Sequence, residues 1–316
     1  MRKQLKSYWT MFCVAALLLS FCGIHGLAYA GPQAPASPEC EWSTLGAVSS
    51  IRQEKDAFFI DISAYIGNAF VEDVLLQITF PIEGGFRLNI SEFSSRHGYF
   101  QPSALSDLTY KELRDGRLMM YGVGDTVLYY QKTAGGFELS VGDMKGNVSL
   151  TFSDENIHLG YQVSTIVKTK MTLPLAADEA IYNGSERFND VNQVGYVFSL
   201  RNVDAAYHGA NSLSETHTDT YINLPIFHSS AGYSVWYNMT YTGTADIGVA
   251  DKTSYTVDFD GGKFDFYMWN GTILENIKKY TAITGTSIVP PRWAFGYWLG
   301  AQAVPWRTNQ TTGTIY

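Results

Sequence analysis

Short runs in which apolar residues recur at every second position begin near Phe58 and continue along most of the chain, and this two-residue period constrains the fold more than any other feature. Ile60, Ile62 and Ala64 alternate with Asp61, Ser63 and Tyr65; Leu76, Ile78 and Phe80 alternate with Gln77 and Thr79; Phe137, Leu139 and Val141 alternate with Glu138 and Ser140. Successive side chains of an extended strand point to opposite faces, so each run buries one face and wets the other. Val148, Leu150 and Phe152 read the same way. Tyr255, Val257 and Phe259 lead through Gly261-Gly262 into Phe264, Phe266 and Met268, which reads as a hairpin. So many short strands predict a mainly β protein, and two antiparallel sheets packed as a β-sandwich are the simplest architecture. The 21 Tyr and 18 Phe agree, since aromatic side chains suit a pleated, half-buried surface better than a helical bundle.

One helix is expected. Thr272-Ile273-Leu274-Glu275 is a capping-box pattern that opens a short helix, with Ile273, Ile277 and Tyr280 on one face and Gly285 as its stop. Pro290-Pro291 then forbids helix and ladder alike, and Trp293 to Trp298 is apolar enough for a buried parallel strand. These breaks divide the chain into a sandwich domain over 51–284 and a second unit over 285–316.

The N-terminus has the three parts of an export signal. Arg2, Lys3 and Lys6 supply the positive region, Val14 to Leu19 the apolar stretch, and Ala28-Tyr29-Ala30 a small-x-small cleavage site. Residues 1–30 are therefore expected to be removed after Ala30, giving a secreted or periplasmic protein that keeps no membrane anchor. Residues 31–50 read as a flexible leader, because Gly31 to Pro38 contains three prolines among small and polar residues. After cleavage, 19 of the 22 basic residues face all 30 acidic ones, a net charge of −11. Such a surface argues against nucleic acid and anionic membranes as partners. Of the three cysteines, Cys13 and Cys22 lie in the signal, which leaves Cys40 alone.

Known chemistry-bearing motifs are missing. No dinucleotide or P-loop glycine pattern, no G-x-S-x-G and no H-E-x-x-H occurs, and the six histidines are scattered without ligand spacing, so neither a cofactor nor a metal is expected. Asp258, Asp260 and Asp265 cluster about Gly261-Gly262 and read as the solvated edge of the hairpin. Sequons for N-glycosylation occur at Asn89, Asn147, Asn183, Asn238, Asn270 and Asn309.

Five blocks in order give the chain a family likeness: Gly85-Phe-Arg-Leu-Asn-Ile90; Ile181-Tyr-Asn-Gly-Ser-Glu-Arg-Phe188 followed by Val191-Asn-Gln-Val-Gly195; Pro225-Ile-Phe-His-Ser-Ser-Ala-Gly-Tyr233; Phe264-Asp-Phe-Tyr267; and Pro290-Pro-Arg-Trp-Ala294. Together they resemble family 31 glycoside hydrolases, the α-glucosidase and α-xylosidase family, across its N-terminal sandwich and into its catalytic barrel. The resemblance implies a galactose-mutarotase-like β-sandwich over 51–284, and the truncated start of a (β/α)8 barrel over 285–316. It implies retaining hydrolysis or transfer at an α-glycosidic bond by two aspartates, and an α-linked oligosaccharide or glycoside as the partner. Both aspartates would follow later barrel strands, so no residue of this chain is assigned a catalytic role.

Three residues are candidates for sugar binding. In the family a sandwich loop offers an aspartate to substrate hydroxyls, and Arg201-Asn202-Val203-Asp204 stands where that loop is expected, which makes Asp204 the first candidate. Tyr297 and Trp298, at the end of the expected barrel strand, are the others, since aromatic faces stack on sugar rings. A transglucosylase within the same family, or a freestanding carbohydrate-binding or structural sandwich, is the alternative reading.

Overall fold

An extended strand leaves its backbone N–H and C=O groups unpaired until a neighbour takes them, so the alternating runs gather into sheets. The computed structural model describes residues 37–54, 56–92, 106–187, 189–202, 220–262 and 264–297. In chain order the first strands are β1 (Glu41–Trp42), β2 (Thr44–Glu54), β3 (Ala57–Ile66), β4 (Ala69–Thr79), β5 (Phe86–Glu92), β6 (Thr109–Glu112), β7 (Leu118–Tyr121), β8 (Val127–Lys132), β9 (Phe137–Gly142) and β10 (Val148–Ser153). There follow β11 (Ile157–Gln162), β12 (Thr165–Pro174), β13 (Ile181–Asn183), β14 (Tyr196–Ser199), β15 (Ile226–Ser229), β16 (Tyr233–Tyr237), β17 (Gly243–Ile247), β18 (Ser254–Phe259), β19 (Phe264–Asn270) and the helix α1 (Ile273–Thr284).

These strands pair antiparallel in three sheets. The largest runs β13-β15-β16-β19-β5-β4-β3-β2, and the others run β1-β11-β12-β18-β17-β14 and β10-β9-β8-β7-β6. Both smaller sheets face the large one. Phe152 of β10 meets Phe266 of β19 with ring centroids 6.1 Å apart, and Phe259 of β18 meets Tyr237 of β16 at 5.6 Å. The inward alternates of the sequence runs, among them Ile60, Ile62, Leu76, Ile78, Leu139, Val141, Val257 and Phe266, all lie in this one core. Each such side chain stabilises the fold by roughly 1.5–3 kcal/mol relative to exposure.

The large sheet is also covered on its other face. Trp236, Tyr267 and Trp269 stack along it, and Tyr280 and Ile283 of α1 pack on them, with Tyr280 edge-on to Trp236 at 5.0 Å. The capping box forms as read: Thr272 N–H donates to Glu275 Oε2 at 2.8 Å, and Glu275 N–H donates to Thr272 Oγ1 at 3.4 Å. The packed face of α1 is nevertheless rotated from the expected one. Asn276 is fully buried and Ile277 is exposed, because Asn276 Nδ2 donates to Ser234 Oγ at 2.9 Å and to the Gly271 carbonyl at 3.1 Å.

Four further readings are corrected. Residues 41–42 and 44–50 are strand rather than leader, the latter being the first part of β2, which pairs along most of its length with β3, and Ser37 already donates to Asp260. β18 and β19 do not form a hairpin, since they belong to different sheets and Gly261-Gly262 carries the chain from one layer to the other. A Cβ on Gly262 would lie 2.0 Å from the Ile166 carbonyl oxygen, so the crossing passes too close for any side chain. The acidic cluster is not a solvated edge: β18 lies between β12 and β17, Asp265 is buried, and Asp260 pairs with Lys168 at 3.1 Å. Burial pushes the Asp258 carboxyl above its usual range, against the pull of Lys168.

The chain separates into two compact units, Met1–Ile283 and Thr284–Tyr316. In the second, Arg292–Phe295 forms a 3₁₀ helix capped by Pro291 at φ −62°, where a buried parallel strand was expected. A parallel strand exists only where neighbours take its backbone groups, and the described residues of this unit include no strand to do so. Among the described residues no helix is long and apolar enough to cross a membrane.

Candidate functional site

Residues between Ile181 and Gly195 build a polar knot that connects, through Asn223, to Asn202. β13 pairs with β15, and the chain then turns back so that Gln193 N–H donates to the Ile181 carbonyl at 2.7 Å. Asn192 Oδ1 holds the turn from inside by accepting from Ile181 N–H and Val194 N–H, both at 3.1 Å. Gly184 at φ 86° and Ser185 at φ 144° make the sharp exit from β13. For serine that backbone is strained by roughly 1–3 kcal/mol. Its hydroxyl offsets the strain, donating to Asn223 Oδ1 at 3.1 Å and accepting from Leu224 N–H at 3.0 Å.

Arg187 completes the knot. Its Nη2 donates to Asn223 Oδ1 at 2.7 Å and to the Ser199 carbonyl at 3.0 Å, while the guanidinium carbon sits 3.8 Å from the centre of the Phe198 ring. Charge-assisted hydrogen bonds and a cation held on an aromatic face are both stronger in a half-buried place than in water. Asn223 passes the constraint on, its N–H and Nδ2 donating to Asn202 Oδ1 at 2.7 and 3.1 Å. An isolated parallel bridge joins Asn202 to Thr220, so the two described residues that flank positions 203–219 lie side by side.

Asp204 follows Asn202 by two positions and lies, with Tyr207, His208 and Gly209, outside the described residues; so does Trp298. Tyr297 is described and is 91% exposed, in the unit that contains the 3₁₀ helix. Of the three candidates, Tyr297 alone therefore lies among the described residues. What the structure adds is the clamp of Arg187 and Asn223 on Asn202, and Asn223 has no local signature that finds it, since its partner Arg187 is 36 residues away. Among the described residues no group of three or more His, Cys, Asp or Glu is placed to hold a metal ion. Two sequons are structurally engaged: Asn89 is buried, and Asn238 Nδ2 donates to Asp265 Oδ2 at 2.9 Å.

No protein-family model matches the chain. Among curated proteins it is 31% identical over 128 residues to the α-xylosidase XylQ of Lactiplantibacillus pentosus, covering 40% of this chain and 16% of that protein. It is 28% identical over 142 residues to an isomaltosyltransferase of Sporosarcina globispora, covering 43% and 12%. Among solved structures the cycloalternan-forming enzyme of Listeria monocytogenes superposes with a TM-score of 0.67 at 19% identity, over 81% of this chain and 24% of that one. The Flavobacterium johnsoniae GH31 dextranase gives 0.63 at 17%, over 80% and 30%.

The mainly β, antiparallel architecture thus matches the N-terminal β-sandwich of family 31 glycoside hydrolases. The chain itself resembles an N-terminal portion of such an enzyme and is related to glycosidases and transglycosylases. It spans only 12–16% of the length of the first two curated relatives.

Proposed function

We propose that this chain is the sandwich part of a secreted or periplasmic family 31 enzyme acting on α-glycosidic bonds, and that it carries the 203–219 loop, with Asp204, to the sugar. The observation that supports the loop role is the clamp: Arg187 and Asn223 hold Asn202, and Asn202 is bridged to Thr220, so the two residues that flank positions 203–219 are held side by side. A loop that must present one carboxylate to two adjacent hydroxyls gains from a fixed base, because a displacement of about 1 Å undoes such contacts. Retaining chemistry needs two carboxyl groups about 5 Å apart across the scissile bond. The two aspartates that perform it in this family are to be sought outside residues 1–316.

Two measurements test the reading. The chain of 316 residues, incubated with aryl α-glucosides and α-xylosides, is expected to release no phenol, and clear turnover overturns the assignment of catalysis elsewhere. The native protein from the culture medium is expected to begin at Gly31 and to weigh well above 35.2 kDa, with peptides beyond Tyr316. A native mass at or below that value makes the sandwich a freestanding binding module.

A further inference from the structure

Beside the clamp, a cavity of about 370 Å³ opens in the sandwich, lined by Asn202, Asn223, Thr240, Tyr241, Thr242 and Phe259 among others. That volume falls within the range of small-molecule sites. We propose that it binds one neutral pyranose unit of an oligosaccharide, an inference that rests on the carbohydrate reading above and names a second place on this chain where sugar is held.

Pyranose recognition requires an apolar platform for the ring's C–H face, together with fixed donors and acceptors for its hydroxyls. Tyr241 provides the platform. A Cβ built on Gly261 would fall 2.1 to 2.4 Å from Cδ2, Cγ and Cε2 of Tyr241, so the ring rests on the bare backbone of that glycine, and the residue keeps 39% of its surface exposed. The glycine at the sheet crossing thereby sets the position of the aromatic side chain.

The polar groups are equally constrained. Asn202 Oδ1 is taken by two donors from Asn223, and its Nδ2 has no hydrogen-bond partner among the described residues; neither has the hydroxyl of the exposed Thr240. Thr242 Oγ1 donates to Asp260 Oδ2 at 3.2 Å, which leaves its lone pairs to accept. Asp260 is itself neutralised by Lys168 at 3.1 Å. Amide and hydroxyl donors, a hydroxyl acceptor and an aromatic face form the complement of a polyol, and Arg201, already engaged, is the one ionic side chain among the described residues of the lining, so an uncharged sugar fits better than an anion.

The test is calorimetric titration of the whole chain with isomaltotriose, paired with saturation-transfer NMR, on the natural sequence and on Tyr241→Ala, Thr240→Val and Asp204→Ala. The natural chain is expected to bind saturably in the millimolar range, and Tyr241→Ala to bind about tenfold more weakly. Thr240→Val, which exchanges a hydroxyl for a methyl at an exposed position, is expected to bind about threefold more weakly with an unchanged unfolding midpoint, which keeps the test valid if the tyrosine variant misfolds. Saturable binding that falls in Asp204→Ala but in neither cavity variant overturns the cavity while sparing the loop. No saturable binding up to ~50 mM also overturns it, and the turnover and mass measurements then decide the broader reading separately.

Discussion

Two aromatic segments of this chain have nearly the same apolar content and opposite fates. β19, Phe264-Asp-Phe-Tyr-Met-Trp-Asn270, is buried on both faces from Phe264 to Trp269, whereas Arg292-Trp-Ala-Phe-Gly-Tyr297 leaves Trp293, Phe295 and Tyr297 67%, 75% and 91% exposed. Hydrophobicity does not separate them; backbone partners do. β19 bonds to β16 on one side and β5 on the other, and 292–295 closes a 3₁₀ turn upon itself. A run of apolar residues is thus a statement about surface to be covered, and it becomes a strand only where another chain segment takes its hydrogen bonds.

The comparison predicts a large asymmetry between two chemically identical substitutions. Phe266→Ala opens a cavity where Phe86, Phe152, Tyr237 and Phe264 meet the ring, and is expected to cost about 3–5 kcal/mol in urea unfolding. Phe295→Ala removes an exposed ring and is expected to stay within ~0.5 kcal/mol of the natural chain. Equal losses would break the contrast.

A second substitution probes the outer face of β19, where burial includes charge. Arg87 of β5 grips Asp265 through two parallel hydrogen bonds, Nε to Oδ1 at 2.7 Å and Nη2 to Oδ2 at 2.8 Å, and both side chains are almost fully buried. Arg87→Met strands a carboxylate in that environment and is expected to cost about 3 kcal/mol, most of which Arg87→Met with Asp265→Leu recovers. A single-variant loss below ~1 kcal/mol would mean that water reaches Asp265 readily, and that the two faces of β19 differ more than their burial suggests.

This pair also shows where sequence reading stops. Alternation located β3, β4, β9 and β18 and chose their inward residues correctly, because one face of a strand is decided by its own neighbours in sequence. Which sheet a strand joins is decided by distant partners. The Gly261-Gly262 turn therefore looked like a hairpin, and Asp265, whose partner lies 178 residues away, looked like a solvated edge. The clamp was half legible: Ser185 and Arg187 stood in a block with family likeness, but Asn223 carries no local mark. Asp204 was located from likeness alone and lies outside the described residues.

The smallest effect sharpens the same contrast through pH. His228 of β15 lies on the outer face of the large sheet, its Nδ1 2.7 Å from Ser234 Oγ, the same oxygen that accepts from Asn276 of α1. With Asn276 donating into that oxygen, the serine hydroxyl is still able to donate to Nδ1 of a neutral imidazole, a bond that a doubly protonated ring has no lone pair to accept. Burial holds the His228 pKa below its ordinary 6.5. The unfolded chain therefore takes up a proton before the folded one does, and stability is present in full above about pH 6.5 and declines as pH falls through the lower folded value. His158, also depressed by burial, adds to the decline. Unfolding free energy measured from pH 7.5 downward is expected to fall with a slope of at most about 1.4 kcal/mol per pH unit for each histidine, and His228→Gln is expected to flatten it while leaving the contribution of His158. An unchanged slope in that variant would mean that α1 opens before His228 titrates, and that the helix, unlike the core face of β19, covers the sheet only loosely.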